Sequence, residues 1–283
     1  IISHFNKIGF DTLPVILWRK QTNAPNKFMG SGMLPSGAYV TLEHEYILIF
    51  RKGSKKKFKS SVEKQKRMES AFFWEERNCW FSDIWDFKGV TQILNHKALR
   101  KRSAAYPLEL AYRLTNMYSL YNDVILDPFI GTGTTILAGI LCGRNTIGVE
   151  IDKEFTQLIS NQITGFLSTA NQLTINRLKN HIDFVKNRTK EKGSLKYSNI
   201  HHGFKVMTKQ ETGIQLKYLL SIKQISSSEY SALYENIGNL QYDTQIEKEC
   251  ERLKSQIEKK EKKAEKIEKF LAENNPKHML SRL

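Results

Sequence analysis

Cysteine, proline and long apolar runs are all scarce in this 283-residue sequence. Its three cysteines, Cys79, Cys142 and Cys250, lie far apart, with no CxxC pair and no histidine pairing nearby. That excludes a disulfide framework and a zinc-ribbon spacing, gives no metal candidate, and fits a reducing cytoplasm. The longest apolar stretches, such as Tyr46 to Phe50 and Val124 to Leu126, are far too short to cross a bilayer, so no membrane is expected as a partner. Ile1-Ile2-Ser3 is neither a start methionine nor a signal peptide, so the chain is expected to begin inside something longer or to have been processed. The six prolines stand singly, at Pro14, Pro25, Pro35, Pro107, Pro128 and Pro276. Acidic residues are also in deficit: 44 Lys and Arg face 29 Asp and Glu, a net charge of +15. Such an excess favours a polyanionic partner through counterion release. The lysines are nevertheless spread through residues 52–59, 97–102, 179–196 and 248–269, and ordinary solvated faces account for some of them.

Hydrophobic residues make up 40% and charged residues 26%, enough for one substantial core plus a smaller appendage. Apolar spacing predicts the last turns of a helix over Ile1 to Gly9, then a strand over Phe10 to Arg19. Lys20 to Ala38 reads as a Gly- and Pro-bearing loop, Tyr46 to Arg51 as a second strand, and Lys55 to Lys66 as a basic linker. An aromatic block follows (Phe72, Phe73, Trp74, Trp80, Phe81, Trp85, Phe87), then an amphipathic helix opened by Tyr106-Pro107. Asp123 to Asp127 is predicted to be a buried strand, Thr134 to Cys142 a helix ended by Gly143, Thr146 to Glu150 a strand, and Lys153 to Phe166 a helix. Beyond residue 170 the texture turns polar and helix-leaning without clear strands, placing a boundary near 168. In the tail, Ile246, Cys250, Leu253, Ile257, Ala264, Ile267 and Leu271 recur in steps of four and three. Two readings stand for that seam: a short coiled coil or helical hairpin, or an amphipathic helix lying on its own domain.

The most informative stretch is Asp127-Pro128-Phe129-Ile130-Gly131-Thr132-Gly133-Thr134-Thr135, which follows one strand, opens a helix and leads to a second strand ending at Glu150. Gly131 and Gly133 permit a tight turn and close approach of backbone to a ligand. A carboxylate at the second strand's end can accept both hydroxyls of a ribose, and Asp127 can receive an ammonium group. A dinucleotide fingerprint fails because Ile136 stands where the third glycine belongs, and a P-loop fails because no Gly-Lys-Ser/Thr ending follows. A packing-only turn is the remaining alternative. An amine, a ribose and an adenine without a pyrophosphate describe S-adenosylmethionine, which this turn suits.

At these residues, and at Ile147 to Asp152, the sequence resembles the bacterial and archaeal DNA amino-methyltransferases that act on cytosine N4 or adenine N6. Arg102-Ser103-Ala104-Ala105-Tyr106-Pro107-Leu108-Glu109-Leu110 is similar to the family's helix over the methionine end of the cofactor. Leu17 to Lys20 and His44 to Phe50 are similar to strands of its catalytic half. The likeness spans roughly residues 1 to 165 and follows the arrangement with the catalytic half first and the cofactor half second. It implies an α/β, Rossmann-like methyltransferase fold, a mostly parallel sheet flanked by helices, incomplete at its N-terminus and carrying a helical C-terminal extension. Its implied divisions are a methyltransferase domain over 1–167 with a candidate target-recognition insert at 53–95, a mostly helical extension over 168–242, and a charged, coiled-coil-like tail over 243–283. It implies S-adenosylmethionine as cofactor, with Asp127 at the methionine amine, Phe129, Gly131, Gly133 and Thr134 in the cofactor turn, Glu150 on the ribose, Ile151 against the adenine, and Tyr106, Pro107 and Glu109 near the methionine end.

The family also carries a catalytic Ser/Asp/Asn-Pro-Pro-aromatic tetrapeptide, which binds the target amine of a flipped base. No such tetrapeptide occurs here, so no catalytic residue is named; the loop is expected upstream of Ile1, and this chain alone is expected to be inactive. Double-stranded DNA is the expected partner, met by Arg19, Lys20, Lys55, Lys56, Trp85, Lys186 and Arg188, although at least half of the aromatics in 72–87 are expected to be core. A restriction endonuclease is expected as genetic partner, and homo- or hetero-oligomers through the tail. Cytosine N4 is slightly favoured over adenine N6. The alternatives are a catalytically incomplete DNA-binding or assembly subunit and an RNA methyltransferase.

Overall fold

A computed structural model describes residues 1–20, 36, 43–89 and 105–237. The readings for most of the 20–38 loop, for Arg102 to Ala104 and for the tail seam lie outside the described residues. The chain opens with helix α1 (Ile2–Lys7). The strand expected over Phe10 to Arg19 is two strands, β1 (Phe10–Thr12) and β2 (Ile16–Arg19), with Pro14 between them. Proline offers no ladder N–H, and each piece takes a different partner. The next expected strand is likewise split into β3 (His44–Ile47) and β4 (Phe50–Lys52). β1 pairs antiparallel with β4, whereas β2 lies between antiparallel β3 and parallel β5 (Ile84–Asp86).

The second half of the expected basic linker is helical: α2 spans Ser61–Glu69 behind a capping box in which Ser60 and Glu63 satisfy each other's backbone N–H groups. Helix α3 (Trp74–Trp80) precedes β5, and α4 (Leu108–Tyr118) follows it. Ile16, Trp18, Trp85 and Leu110 form the core of this half.

The second half contains the predicted strand–turn–helix–strand unit. β6 (Val124–Asp127) and β7 (Asn145–Gly148) pair in parallel, joined by α5 (Thr134–Cys142), which ends at Gly143 as expected. β6 is not the buried strand expected. Val124 and Leu126 are each 63% exposed, and with Ile147 and Val149 they form an open apolar sheet face. Helices α6 (Glu154–Gly165) and α7 (Leu167–Lys192) follow.

The extension beyond residue 168 departs most from expectation. After α7 come β8 (Tyr197–Ser198), β9 (Lys205–Val206) and a hairpin of β10 (Lys217–Gln224) with β11 (Tyr230–Asn236). Two cross-strand pairs on the hairpin, Leu219 with Tyr234 and, past a bulge, Ile222 with Ala232, pack on helices and join Ile140 of α5 and Ile163 of α6 in one cluster. Two tyrosine hydroxyls fasten it, Tyr230 donating to Ser160 Oγ and Tyr234 to the Ile140 carbonyl. A second cluster joins Phe73 to Leu178, Ile182, Phe204 and Leu216, so the extension also grips the chain just before α3.

That grip is ionic as well as apolar. Arg177 of α7 makes a two-pronged contact with Glu76 of α3, at 2.6 and 2.8 Å. Burial works against the charge on Arg177, and Glu76 more than offsets it, holding the guanidinium above its ordinary pKa. His181 reaches Glu75 at 2.7 Å and the Lys205 carbonyl at 3.0 Å while stacking on Phe73, and Glu211 accepts from the Trp74 amide. Removing one member of such a pair leaves the other charge buried. Arg177→Met is expected to lower the free energy of unfolding by about 3–5 kcal/mol in urea titrations. The double variant with Glu76→Gln is expected to recover part of that loss. A single variant within roughly 0.5 kcal/mol of wild type would contradict the tie.

Candidate functional site: a glycine turn between two strand ends

Parallel pairing of β6 with β7 sets Asp127 opposite Gly148, so the loops leaving both strands emerge at one sheet edge. The turn is stitched to the neighbouring strand by Ile130 N to Val149 O and Val149 N to Asp127 O, each 2.9 Å. Gly131 has φ +52° and Gly133 φ +88°, conformations that a side chain would strain. A Cβ on Gly133 would also stand 3.3 Å from Ile159 of α6, so the glycine lets the turn close against that helix. Gly133 caps α5 with no side-chain acceptor, and no acidic residue occupies the first turn. The turn therefore faces the positive end of a helix.

Two carboxylates order this edge. Glu150 Oε2 accepts from Gly131 N and Oε1 from Asp152 N, both at 2.9 Å. It thereby ties the glycine turn to the loop after β7, and each oxygen retains a lone pair for a further donor. Asp127 Oδ1 accepts from Phe129 N at 3.0 Å. Its Oδ2 accepts from Thr135 Oγ at 2.6 Å and from Tyr106 Oη at 3.2 Å, and the two hydroxyls stand 2.5 Å apart. Burial raises the Tyr106 pKa, with the Asp127 charge adding to it and the Thr135 hydrogen bond opposing it. The phenol therefore stays protonated as a donor. Phe129 and Ile151 are open to solvent, 87% and 96% exposed.

The structure thus gathers Tyr106, Asp127, Phe129, Gly131, Gly133, Thr134, Glu150 and Ile151 around the two loops, with Pro107 as the residue preceding α4. Glu109 is engaged elsewhere: its carboxylate meets Arg113 one turn on at 2.6 Å. Thr135 was not singled out in the sequence. Its signal was the pair of hydroxyls opening a helix whose cap is glycine.

A protein-family model described as DNA methylase, of the N6/N4 type, matches residues 1–162. The chain belongs to this family. Among its relatives, the type II methyltransferase M.MthZI of Methanothermobacter thermautotrophicus is 52% identical over 238 residues, 84% of this chain and 66% of that protein. M.MjaI of Methanocaldococcus jannaschii is 52% identical over 163 residues, 58% of this chain and 52% of that one. A solved structure of a putative DNA modification methylase from Thermus thermophilus, complexed with S-adenosyl-L-methionine, is 34% identical over 57% of this chain and 56% of its own, with a TM-score of 0.43. The chain therefore spans about two-thirds and about half of the lengths of these two curated relatives. The 238-residue match to M.MthZI is longer than the 162 residues of the family match, so part of the extension beyond it is shared with that relative.

The residues expected to meet DNA are dispersed over the methylase and the extension, and one is corrected. Trp85 is 1% exposed, its indole N–H donating to the Trp80 carbonyl, so it is core and has no face for a base. Phe73 and Trp80 are buried too, whereas Trp74 and Phe81 are open. Arg19 sits between Glu43 and Asp86, and Lys20 pairs with Glu45 over the Trp18 ring. A phosphate would have to compete with those carboxylates. Lys55 and Lys56 are exposed before α2, Lys56 lying against Phe58, while Lys186 is exposed and Arg188 half-buried on α7. No cluster able to hold a metal ion occurs among the described residues.

Glu150→Gln checks the stitching of the two loops. An amide offers only one acceptor oxygen, so Gly131 N or Asp152 N loses its partner. The expected result is a loss of roughly 1–3 kcal/mol in denaturant unfolding, with faster amide exchange at one of those two positions. Unchanged stability and exchange would show that the carboxylate does not join the loops.

Proposed function

We propose that this chain is the larger part of a site-specific DNA methyltransferase of a cytoplasmic restriction–modification system. It moves a methyl group from S-adenosylmethionine to the exocyclic amine of a flipped base, cytosine N4 in preference to adenine N6. The observation that carries this reading is the pair of carboxylates, Asp127 and Glu150, held at one sheet edge by the glycine turn. The donor set fits the cofactor: two anionic acceptors, an uncapped helix end, the apolar Phe129 and Ile151, and no lysine in the turn for a pyrophosphate. Asp127 would take the ammonium, the α5 N-terminus the carboxylate, Glu150 the ribose hydroxyls and Ile151 the adenine face. When bound, the sulfonium supplies an electrophilic methyl group. The chain's own residues bind and orient it: the Glu150 bridge fixes the spacing of the two loops, and Tyr106 and Thr135 fix Asp127.

Lining up a base amine needs further acceptors, because conjugation with the ring makes that nitrogen a poor nucleophile. No Pro-Pro-aromatic tetrapeptide occurs in these 283 residues. The open face of Val124, Leu126, Ile147 and Val149 supports the reading that a catalytic segment from elsewhere in the whole protein lies on it. In this reading the basic stretch around Lys55 and Lys56 and the α7 cations Lys186 and Arg188 position the duplex, and a restriction endonuclease cleaves the same sites when they are unmethylated. In the same reading the tail over 243–283 joins the chain to a second copy or to a different subunit.

Full-length protein incubated with tritiated S-adenosylmethionine is expected to label duplex DNA, and digestion is expected to release N4-methylcytosine. The 283 residues alone are expected to bind the cofactor and transfer nothing. Label in N6-methyladenine would reassign the base, label confined to RNA would overturn the DNA substrate, and a full-length protein that binds DNA without transfer would favour an assembly subunit.

A further inference from the structure

Asp127 is more constrained than a strand-end carboxylate needs to be. The Thr135 hydroxyl proton is committed to Asp127 Oδ2 at 2.6 Å. The 2.5 Å contact between the Tyr106 and Thr135 oxygens must then carry the Tyr106 proton, and a weaker branch of that donor reaches Asp127 at 3.2 Å. The result is a directed chain, Tyr106 O–H to Thr135 Oγ–H to Asp127 Oδ2, in which each bond polarises the next. Oδ2 thus has both lone pairs facing hydroxyls. Oδ1 spends one on Phe129 N and keeps one.

The three side chains come from separate elements: Tyr106 ahead of α4, Asp127 at the end of β6 and Thr135 in the first turn of α5. A carboxylate held only by Phe129 N would turn about its side-chain torsions. With Thr135 and Tyr106 on the other oxygen, one rotamer persists and its single spare lone pair keeps a fixed direction. We infer that Thr135 is a positioning residue of this site: through the Tyr106–Thr135–Asp127 chain it holds Asp127 preorganised to receive a ligand's ammonium group. Tyr106 supplies the terminal donor, and the same chain fastens the start of α4 to the cofactor turn. This rests on the proposed cofactor reading and adds a residue and a means to it.

The test separates an amine-directed role from general support of the fold. Full-length protein is titrated calorimetrically with S-adenosylhomocysteine and with its analogue bearing hydrogen in place of the α-amine. Thr135→Val is expected to weaken S-adenosylhomocysteine about ten-fold and to leave the des-amino analogue unchanged within the error of the titration. Thr135→Ser keeps the hydroxyl and is expected to bind as wild type does, and Tyr106→Phe to show a smaller loss with the same dependence on the amine. Near-ultraviolet circular dichroism identifies a variant that fails to fold, in which case Thr135→Ser and Tyr106→Phe decide. Equal weakening of both ligands, or none of either, would overturn the inference while leaving the cofactor reading in place. Failure of the wild-type protein to bind S-adenosylhomocysteine would remove both.

Discussion

Parallel pairing of β6 with β7 is the constraint on which the rest depends. It brings the loops that follow two successive strands to one edge and sets the carboxylates of Asp127 and Glu150 into them. Those acids then maintain the arrangement. Glu150 joins the loops through two backbone amides, and Asp127 gathers a backbone amide and two hydroxyls. Buried or half-buried acceptors are favourable only when fully used, and the surplus lone pairs point to a cationic, hydroxylated ligand.

The extension braces this edge from behind. Its hairpin packs on α5 and α6, the two helices between which Gly133 and Ile159 meet, and its helix α7 holds α3 through Arg177 and Glu76. Burying that ion pair costs desolvation, which the two-pronged geometry and the neighbouring Phe73 ring offset. Segments on either side of the strand–turn–helix–strand unit are thereby linked through α7 without passing through the open sheet face.

The strand–turn–helix–strand unit was legible because each of its signals is local. Asp127 to Thr135 has turn, glycines and helix start in consecutive positions, and α5 ends at Gly143 where the sequence places its stop. Family membership, which a matching family model establishes, followed from the same residues. Less was legible where partners are distant. Pro14 divides a strand whose halves seek different neighbours, and Ser60-x-x-Glu63 marks a helix start that the surrounding lysines obscured. The β10–β11 hairpin was missed because its apolar residues alternate weakly among lysines and serines, and its burial comes from helices α5, α6 and α7. Trp85 had the composition of a base-stacking residue, yet its environment is set by Ile16, Trp18 and Leu110, none of them adjacent in sequence. Thr135 looked like one hydroxyl among several until folding placed Tyr106 against it.

Amide hydrogen exchange on the complete protein, with and without S-adenosylhomocysteine, tests the central claim most directly. The account predicts slower exchange on ligand addition at Phe129, Gly131, Gly133 and Ile151, the backbone that lines the two loops. Protection confined to other segments, or none at these amides under saturating ligand, would contradict it.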